Sequence, residues 1–350
     1  MVVPSLCLRA GVDYPRTRVE FDQFFPNNQA CLSYLERLRW REGFACPRCA
    51  SSGSPWRSSR GLLICPHCRK QASVLAGTLF HRTRTPLRTW FHAAWEITSQ
   101  KYGANALGLQ RVLGLGSYET AWAWLHKFRR AMVNPGRDRL SGAIEADEGY
   151  VGGEEAGVSG RQTVKKAIVA IAVEVNERKI GRVRLRWVPD VSASSLEEFL
   201  SDMLVPGSTV HTDGWSGYRG LTARGLHHKV TVLASSADPA HVLMPAVHRV
   251  ASLLKRWILG TLQGGIAREH LPYYLDEFTF RFNRRSSRAR GLLFYRLLEQ
   301  AVQSGHTPTR ALHKGTGRGP RPHRKRHSGH LRVDPGSCLP GPPTDPHVRN

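Results

Sequence analysis

Four cysteines arrive in two pairs, Cys46-Pro-Arg-Cys49 and Cys65-Pro-His-Cys68, with 15 residues between the pairs. Each CxxC turn can aim two sulfurs at one ion, and two such turns at this spacing match a tetrahedral four-cysteine zinc site. A redox-active CxxC or unrelated core cysteines are the alternatives, and the repetition of the motif argues against both. With four protein ligands no position is left for water. The zinc is therefore expected to be structural and to hold a small module carrying Arg48, Arg57, Arg60, Arg69 and Lys70, a surface suited to phosphates.

Acidic residues at the ends of apolar strands are the second chemical signal. Asp147 lies in Ile144-Glu145-Ala146-Asp147-Glu148, and Asp213 closes Val210-His211-Thr212-Asp213. Two such carboxylates could bind divalent ions for phosphoryl chemistry, in which metals about 3.5–4 Å apart activate a hydroxyl and stabilise the leaving oxygen. Strand alternation sends Glu145 and Asp147 to one face and Ala146 and Glu148 to the other, so Asp147 and Glu148 cannot both point into one site. The plainer alternative for either aspartate alone is a turn or helix-cap role.

The elements that would position these residues follow from hydrophobic periodicity. Asn28 to Trp40 reads as a short helix leading into the cysteines, and Gly61 to Ile64 as a β-type run between them. Pro86 opens a helical pattern through Gln100; a second helix covers Ala104 to Leu113, and Ser117 caps a third running to Met132. These three helices have the lengths and the Gly-containing turn of a helix-turn-helix, with Lys127, Arg129 and Arg130 as candidate DNA contacts; the alternative is three helices that simply pack. The period then changes. Ala143 to Asp147, Lys166 to Val175 and Arg182 to Val188 read as strands, the second apolar enough to be central in a sheet. A helix at Ser195 to Leu204 and short strands at Thr209 to Thr212 and Lys229 to Leu233 follow. Helices then come at Ala246 to Leu259, near His270 to Asn283, and at Leu292 to Gln300, a succession that suggests a mixed α/β sheet covered by helices.

Composition narrows the partners. The 350 residues carry 51 Lys plus Arg against 27 Asp plus Glu, a net charge of +24, which points to a polyanion and above all to nucleic acid. From Gln303 onward, nine basic and two acidic residues sit among Pro, Gly and His without apolar periodicity, so 303–350 is expected to be a disordered basic tail. Residues 1–302 still hold +17, so the basic character is not confined to the tail. No apolar run is long enough to span a bilayer and no secretory leader is evident, which makes a cytoplasmic protein without a membrane partner the expectation.

The stretches EADEGYVGG from Glu145, HTDGWSGY from His211, HRVASLLKRWILGTLQG from His248 and YLDEFTFRFNRR from Tyr274, together with the cysteine pairs, resemble bacterial insertion-sequence transposases of the DDE type. The resemblance is to the group with a zinc ribbon before an RNase H-like catalytic domain. It implies an α/β chain organised as an N-terminal lead-in and helix (1–42), a zinc ribbon (43–80), a helical DNA-binding segment (81–140), an RNase H-like catalytic domain (141–302) and the tail (303–350). It makes Asp147 and Asp213 the first two catalytic carboxylates. The third position, a Glu or another polar residue in the family pattern, falls on His248, 35 residues after Asp213. An imidazole there should weaken magnesium binding and relatively favour manganese, since magnesium prefers oxygen ligands. Glu148, Asp276 and Glu277 are fallback carboxylates. Lys255, Arg256, Arg284 and Arg285 are expected to contact the DNA backbone.

The implied activity is binding of the element's terminal repeats, metal-dependent cleavage, and strand transfer into target DNA by a homo-oligomer that associates with the nucleoid when bound. A nuclease of the same fold without strand transfer, and a catalytically inactive DNA-binding copy, are the rival readings.

Overall fold

The computed structural model describes residues 8–133, 136–152, 163, 166–177, 179–232, 239–263, 265–313 and 330–331. The chain divides into two units, one comprising residues 1–138 and 269–318, the other 139–268 and 319–350.

The first unit is helical around the ribbon. It begins with α1 (Arg18–Phe24) and α2 (Asn28–Arg39), capped by Thr17 and Asn27, whose side chains accept the N–H groups of Glu20 and Ala30. The ribbon contributes the two-residue strands β1 (Trp56–Arg57), β2 (Leu63–Ile64) and β3 (Gln71–Ala72), paired antiparallel in that order. Then come α3 (Leu87–Ser99), α4 (Ala106–Leu113) and α5 (Tyr118–Ala131). Gly114 closes α4 in the left-handed region at φ 61°, and Ser117 caps α5 by accepting the N–H of Thr120. The helix, turn and helix expected from the pattern are thus present at 106–131.

In packing, α9 (Leu271–Phe282) and α10 (Arg290–Gln303) group with the N-terminal helices. The reason is aromatic packing. Phe294 of α10 meets Phe21 at 5.6 Å, Phe91 at 5.8 Å and Trp95 at 5.6 Å between ring centroids, and Leu293, Leu297, Leu298 and Ala301 extend the same buried stripe. Within the segment expected as a tail, α11 (Thr309–His313) packs its buried Leu312 against Ala123 and Tyr273. Most of that tail, 314–329 and 332–350, lies outside the described residues.

The second unit is built on a mixed sheet. Its strands are β4 (Ala143–Val151), β5 (Ala167–Asn176), β6 (Lys179–Val188), β7 (Thr209–Asp213) and β8 (His227–Thr231), in the order β6-β5-β4-β7-β8 among the described residues. The β6-β5-β4 pairs are antiparallel, whereas β7 joins β4 and β8 joins β7 in parallel. As its composition predicts, β5 is interior and buried from Ala167 to Glu174. One face of the sheet, with Ile144, Ala146, Ile168, Ala170 and Val210, packs on Leu196, Phe199 and Leu200 of α6 (Ala193–Met203) and on Tyr218 in the 3-10 segment Ser216–Arg224. A short helix, α7 (Ala240–Leu243), precedes α8 (Pro245–Leu262), which lies against β4 and β5. A final strand, β9 (Ile266–Ala267), pairs antiparallel with the two-residue strand β10 (His330–Leu331). This is the RNase H-like arrangement of a mixed sheet flanked by helices.

Candidate active site and metal centre

The four cysteines are brought together by two copies of one local device. Cys46 N–H donates to Ser51 O and Ala50 N–H to Cys46 O, while Cys65 N–H donates to Lys70 O and Arg69 N–H to Cys65 O. The residue after each second cysteine, Ala50 and Arg69, sits in the left-handed region at φ 56° and 58°, which curls each loop around its sulfurs. All four Sγ atoms lie within 4.8 Å of one another; Cys46 and Cys68 are 3.6 Å apart, and Cys49 and Cys65 are 3.8 Å apart. Four sulfurs about 2.3 Å from one zinc form a tetrahedron with edges of about 3.8 Å, so the donor set fits structural zinc. The N–H groups of Cys49 and Arg48 face the Cys46 sulfur and hold its thiol below its ordinary value, favouring the thiolate that a metal needs.

The acidic site is assembled by sheet register. On β4 and β7 the parallel ladder pairs Ala143 with Thr209 and Glu145 with His211; carried two residues further along each strand, the same register would bring Asp147 level with Asp213. The charges of Asp147 and Asp213 both bear on the buried Tyr218 hydroxyl, raising its pKa behind burial and the charge of Glu148. Asp213, the last residue of β7, is largely buried, and its Oδ1 accepts the Trp215 N–H at 3.1 Å. The Trp215 indole donates to Val191 O at 2.9 Å. A Cβ on Gly217 would lie 2.7 Å from both Val191 O and that indole nitrogen, so the turn after Asp213 requires glycine there.

His248 is the fourth residue of α8, and its Nε2 lies 4.0 Å from Asp147 Oδ2. That nitrogen is buried and takes no hydrogen bond among the described residues. Burial, then the charge of His241, holds the imidazole below its ordinary pKa of 6.5, while Asp213 pulls the other way. A neutral ring facing two carboxylates is a donor set that a divalent cation can use. The cysteines are the group of clustered metal-ligand side chains among the described residues, and of the three groups here His248 and Asp147 have a direct approach, at 4.0 Å.

The fallback carboxylates have other partners. Glu148 points to the opposite face and accepts the buried Tyr218 hydroxyl at 2.8 Å. Glu277 is fully buried in the first unit, taking Arg129 Nε at 2.7 Å and Arg281 Nε at 2.9 Å. Arg129, expected from its position as a DNA contact, is therefore an interior residue at 1% exposure.

Lys255 and Arg256 lie seven and eight residues beyond His248 on α8, Lys255 on nearly the same side, and Arg256 is exposed. Arg284 and Arg285 fold back on α9: their guanidinium groups sit 4.1 Å from the ring centres of Phe280 and Phe282 and donate to the carbonyls of the same residues. Burial, reinforced by Arg296, lowers Arg284 to about 10.

Sequence reasoning missed the work of Glu145, whose carboxylate accepts the N–H of Val247 at 2.9 Å in the first turn of α8. It also missed α1. Thr17-Arg-Val-Glu20 before Phe21 is a capping-box pattern that could have revealed that helix; no local pattern marks Glu145.

Residues 139–283 match the family model described as the ISXO2-like transposase domain, of the IS1595 type, and residues 26–71 match the transposase zinc-ribbon domain. A protein of the transposable element ISH50 of Halobacterium salinarum is 26% identical over 280 residues, covering 73% of this chain and 91% of that one. Among the described residues no helix is long and apolar enough to cross a membrane.

Proposed function

Because the chain belongs to the ISXO2-like insertion-sequence transposases with an N-terminal zinc ribbon, we propose that it binds the terminal repeats of its element, cleaves the 3′ ends and joins them to target DNA. The observation that carries this reading is the unbonded His248 Nε2 4.0 Å from Asp147 on β4, the strand that pairs in parallel with the one ending at Asp213. Asp147, Asp213 and His248 would hold divalent ions, magnesium or manganese. Such ions supply Lewis-acid activation of a water or 3′-hydroxyl and stabilise the leaving oxygen.

The protein's own contribution is placement. The two carboxylates supply negative charge from adjacent strands, and the depressed His248 keeps an uncharged imidazole beside them at neutral pH. Lys255 and Arg256 continue α8 toward the phosphates of bound DNA. Zinc on Cys46, Cys49, Cys65 and Cys68 holds the ribbon in shape, and α4 with α5 offers a helix-turn-helix surface. Arg284 and Arg285 contribute weaker phosphate contacts, since their guanidinium groups already stack on their own helix. Joining two element ends calls for a homo-oligomer on DNA.

The test is cleavage and joining of element-end oligonucleotides in magnesium or manganese, comparing the native chain with Asp213→Ala and His248→Ala. Joined products lost in both variants support the reading. Nicks without joined products would select a nuclease, and DNA binding without cleavage in either metal would select an inactive copy. Binding should weaken by several orders of magnitude between about 50 and 200 mM salt, because phosphate contacts release counterions.

A further inference from the structure

The start of α8 lacks a cap of its own. Met244 precedes it at φ −132° and ψ 64° with no side-chain hydrogen bond, and Pro245 in the first turn has no N–H to offer. The next two N–H groups belong to Ala246 and Val247, which are 4% and 0% exposed. Buried helix-start donors without acceptors are costly, and water does not reach these. The Val247 N–H is taken at 2.9 Å by the Glu145 carboxylate, toward which the Ala246 N–H also faces; that carboxylate, itself only 7% exposed, comes from β4 and lies 102 residues earlier in the chain than Val247. An anion also suits the positive end of the helix dipole.

The position of Glu145 on its strand gives this cap a second consequence. Glu145 and Asp147 share a face of β4, two residues apart, and His248 directly follows the capped Val247 on α8. One strand thus carries both the first carboxylate of the proposed site and the clamp on the helix that bears the third residue. The clamp sets the rotation of α8 about its axis and its height along β4. Those two quantities decide where the His248 ring falls relative to Asp147 Oδ2, now 4.0 Å from Nε2. The alternative restraint is weak: the His248 N–H reaches Met244 O only at 3.5 Å.

We infer that Glu145 is a positioning residue that holds His248 beside Asp147 by capping α8 from the neighbouring strand. The inference rests on the reading of Asp147, Asp213 and His248 as the divalent-ion site. Glu145 acts through the helix backbone and does not touch the substrate.

The experiment measures manganese binding to the full chain by paramagnetic resonance, cleavage of an element-end oligonucleotide, and thermal melting. The variants are Glu145→Ala, Glu145→Gln, His248→Ala and the double Glu145→Ala, His248→Ala. Supporting partners of metal ligands are typically worth about 10- to 100-fold in metal affinity or activity, and Glu145→Ala should lose that much in manganese affinity. Glu145→Gln should recover most of it, because its amide oxygen can accept the same Val247 N–H. In the double variant affinity should fall no further than in His248→Ala alone. If Glu145→Ala does not fold, Glu145→Asp, one methylene short of the helix, replaces it. Losses that multiply in the double variant, or a lower melting temperature with unchanged manganese affinity, would overturn the clamp. Impairment in His248→Ala with none in Glu145→Ala would sink the clamp alone, whereas unimpaired binding and cleavage in His248→Ala would sink the three-residue site itself.

Discussion

The zinc ribbon and the acidic sheet face the same task, gathering donor atoms around a cation, and solve it over different distances in the chain. In the ribbon, two self-contained loops each present two sulfurs, and the whole ligand set spans Cys46 to Cys68. In the sheet, the proposed donors come from positions 147, 213 and 248, and nothing local holds them together. Their alignment depends on the β4-β7 register and on a carboxylate that grips a helix. A locally built site leans on its metal to fold, while a site built from tertiary structure exists before the metal arrives.

That contrast is broken or sharpened first by removing ligands. Cys65→Ser should abolish zinc binding and unfold the ribbon, since apparent zinc-binding energies of such sites are roughly 10 kcal/mol and reappear as folding energy. Metal analysis and circular dichroism would check this, with a strong chelator reproducing the effect on the native chain. A ribbon that keeps its fold without zinc would break the contrast.

Asp213→Asn is the counterpart in the sheet. The amide oxygen can still accept the Trp215 N–H, so the turn and the melting temperature should survive. Cleavage should fall by about 1000-fold, about 4 kcal/mol in the barrier, because charge toward the cation is lost. Single-turnover cleavage alongside thermal melting would separate the two effects. A parallel loss of stability would show that the sheet site, like the ribbon, is needed for folding.

The same difference explains what was legible beforehand. The cysteine spacing declared the ribbon because all of its geometry lies within a few residues of each ligand. Asp213 was legible as an acid closing an apolar strand, whereas β4 runs four residues past Asp147 to Val151; strand alternation correctly sent Glu148 to the other face, where it meets Tyr218. The cap from Glu145 was not legible, since its partner lies 102 residues away and is a backbone N–H that no side-chain pattern announces. Arg129 misled for a related reason. At the end of a basic helix it reads as a phosphate contact, and only the fold brings Glu277 to it. The grouping of α10 with α1 to α3 was hidden likewise, because an apolar stripe such as Phe294 and Leu297 says that a helix is buried without saying against what.

A smaller effect should come from His248→Glu. A carboxylate at this position replaces an imidazole with a hard oxygen donor, so the ratio of magnesium- to manganese-supported cleavage should rise on the order of tenfold. Cleavage rates titrated with each metal would show it. An unchanged ratio would mean that the residue on α8 does not reach the cation, leaving the sheet to provide two donors only.

The smallest effect concerns an acid in the same sheet that has every partner it needs. Glu174 on β5 is buried, which works to raise its pKa, but hydrogen bonds from the Arg182 side chain, the Ser141 N–H and the Arg182 N–H outweigh burial and hold it below the ordinary 4.5. A group whose folded pKa is depressed contributes stability fully above its unfolded pKa and loses it as pH falls through the folded value. Glu174→Gln should therefore lower stability by about 1 kcal/mol at neutral pH, a modest figure because Arg182 is partly in water. The difference from the native chain should shrink below about pH 4.5. Denaturant melts at pH 7 and at successively lower pH would test this. A gap that persists in acid would mean that Glu174 holds the β5-β6 edge by shape rather than charge, leaving the proposed metal site as the place in this sheet where a carboxylate's charge matters.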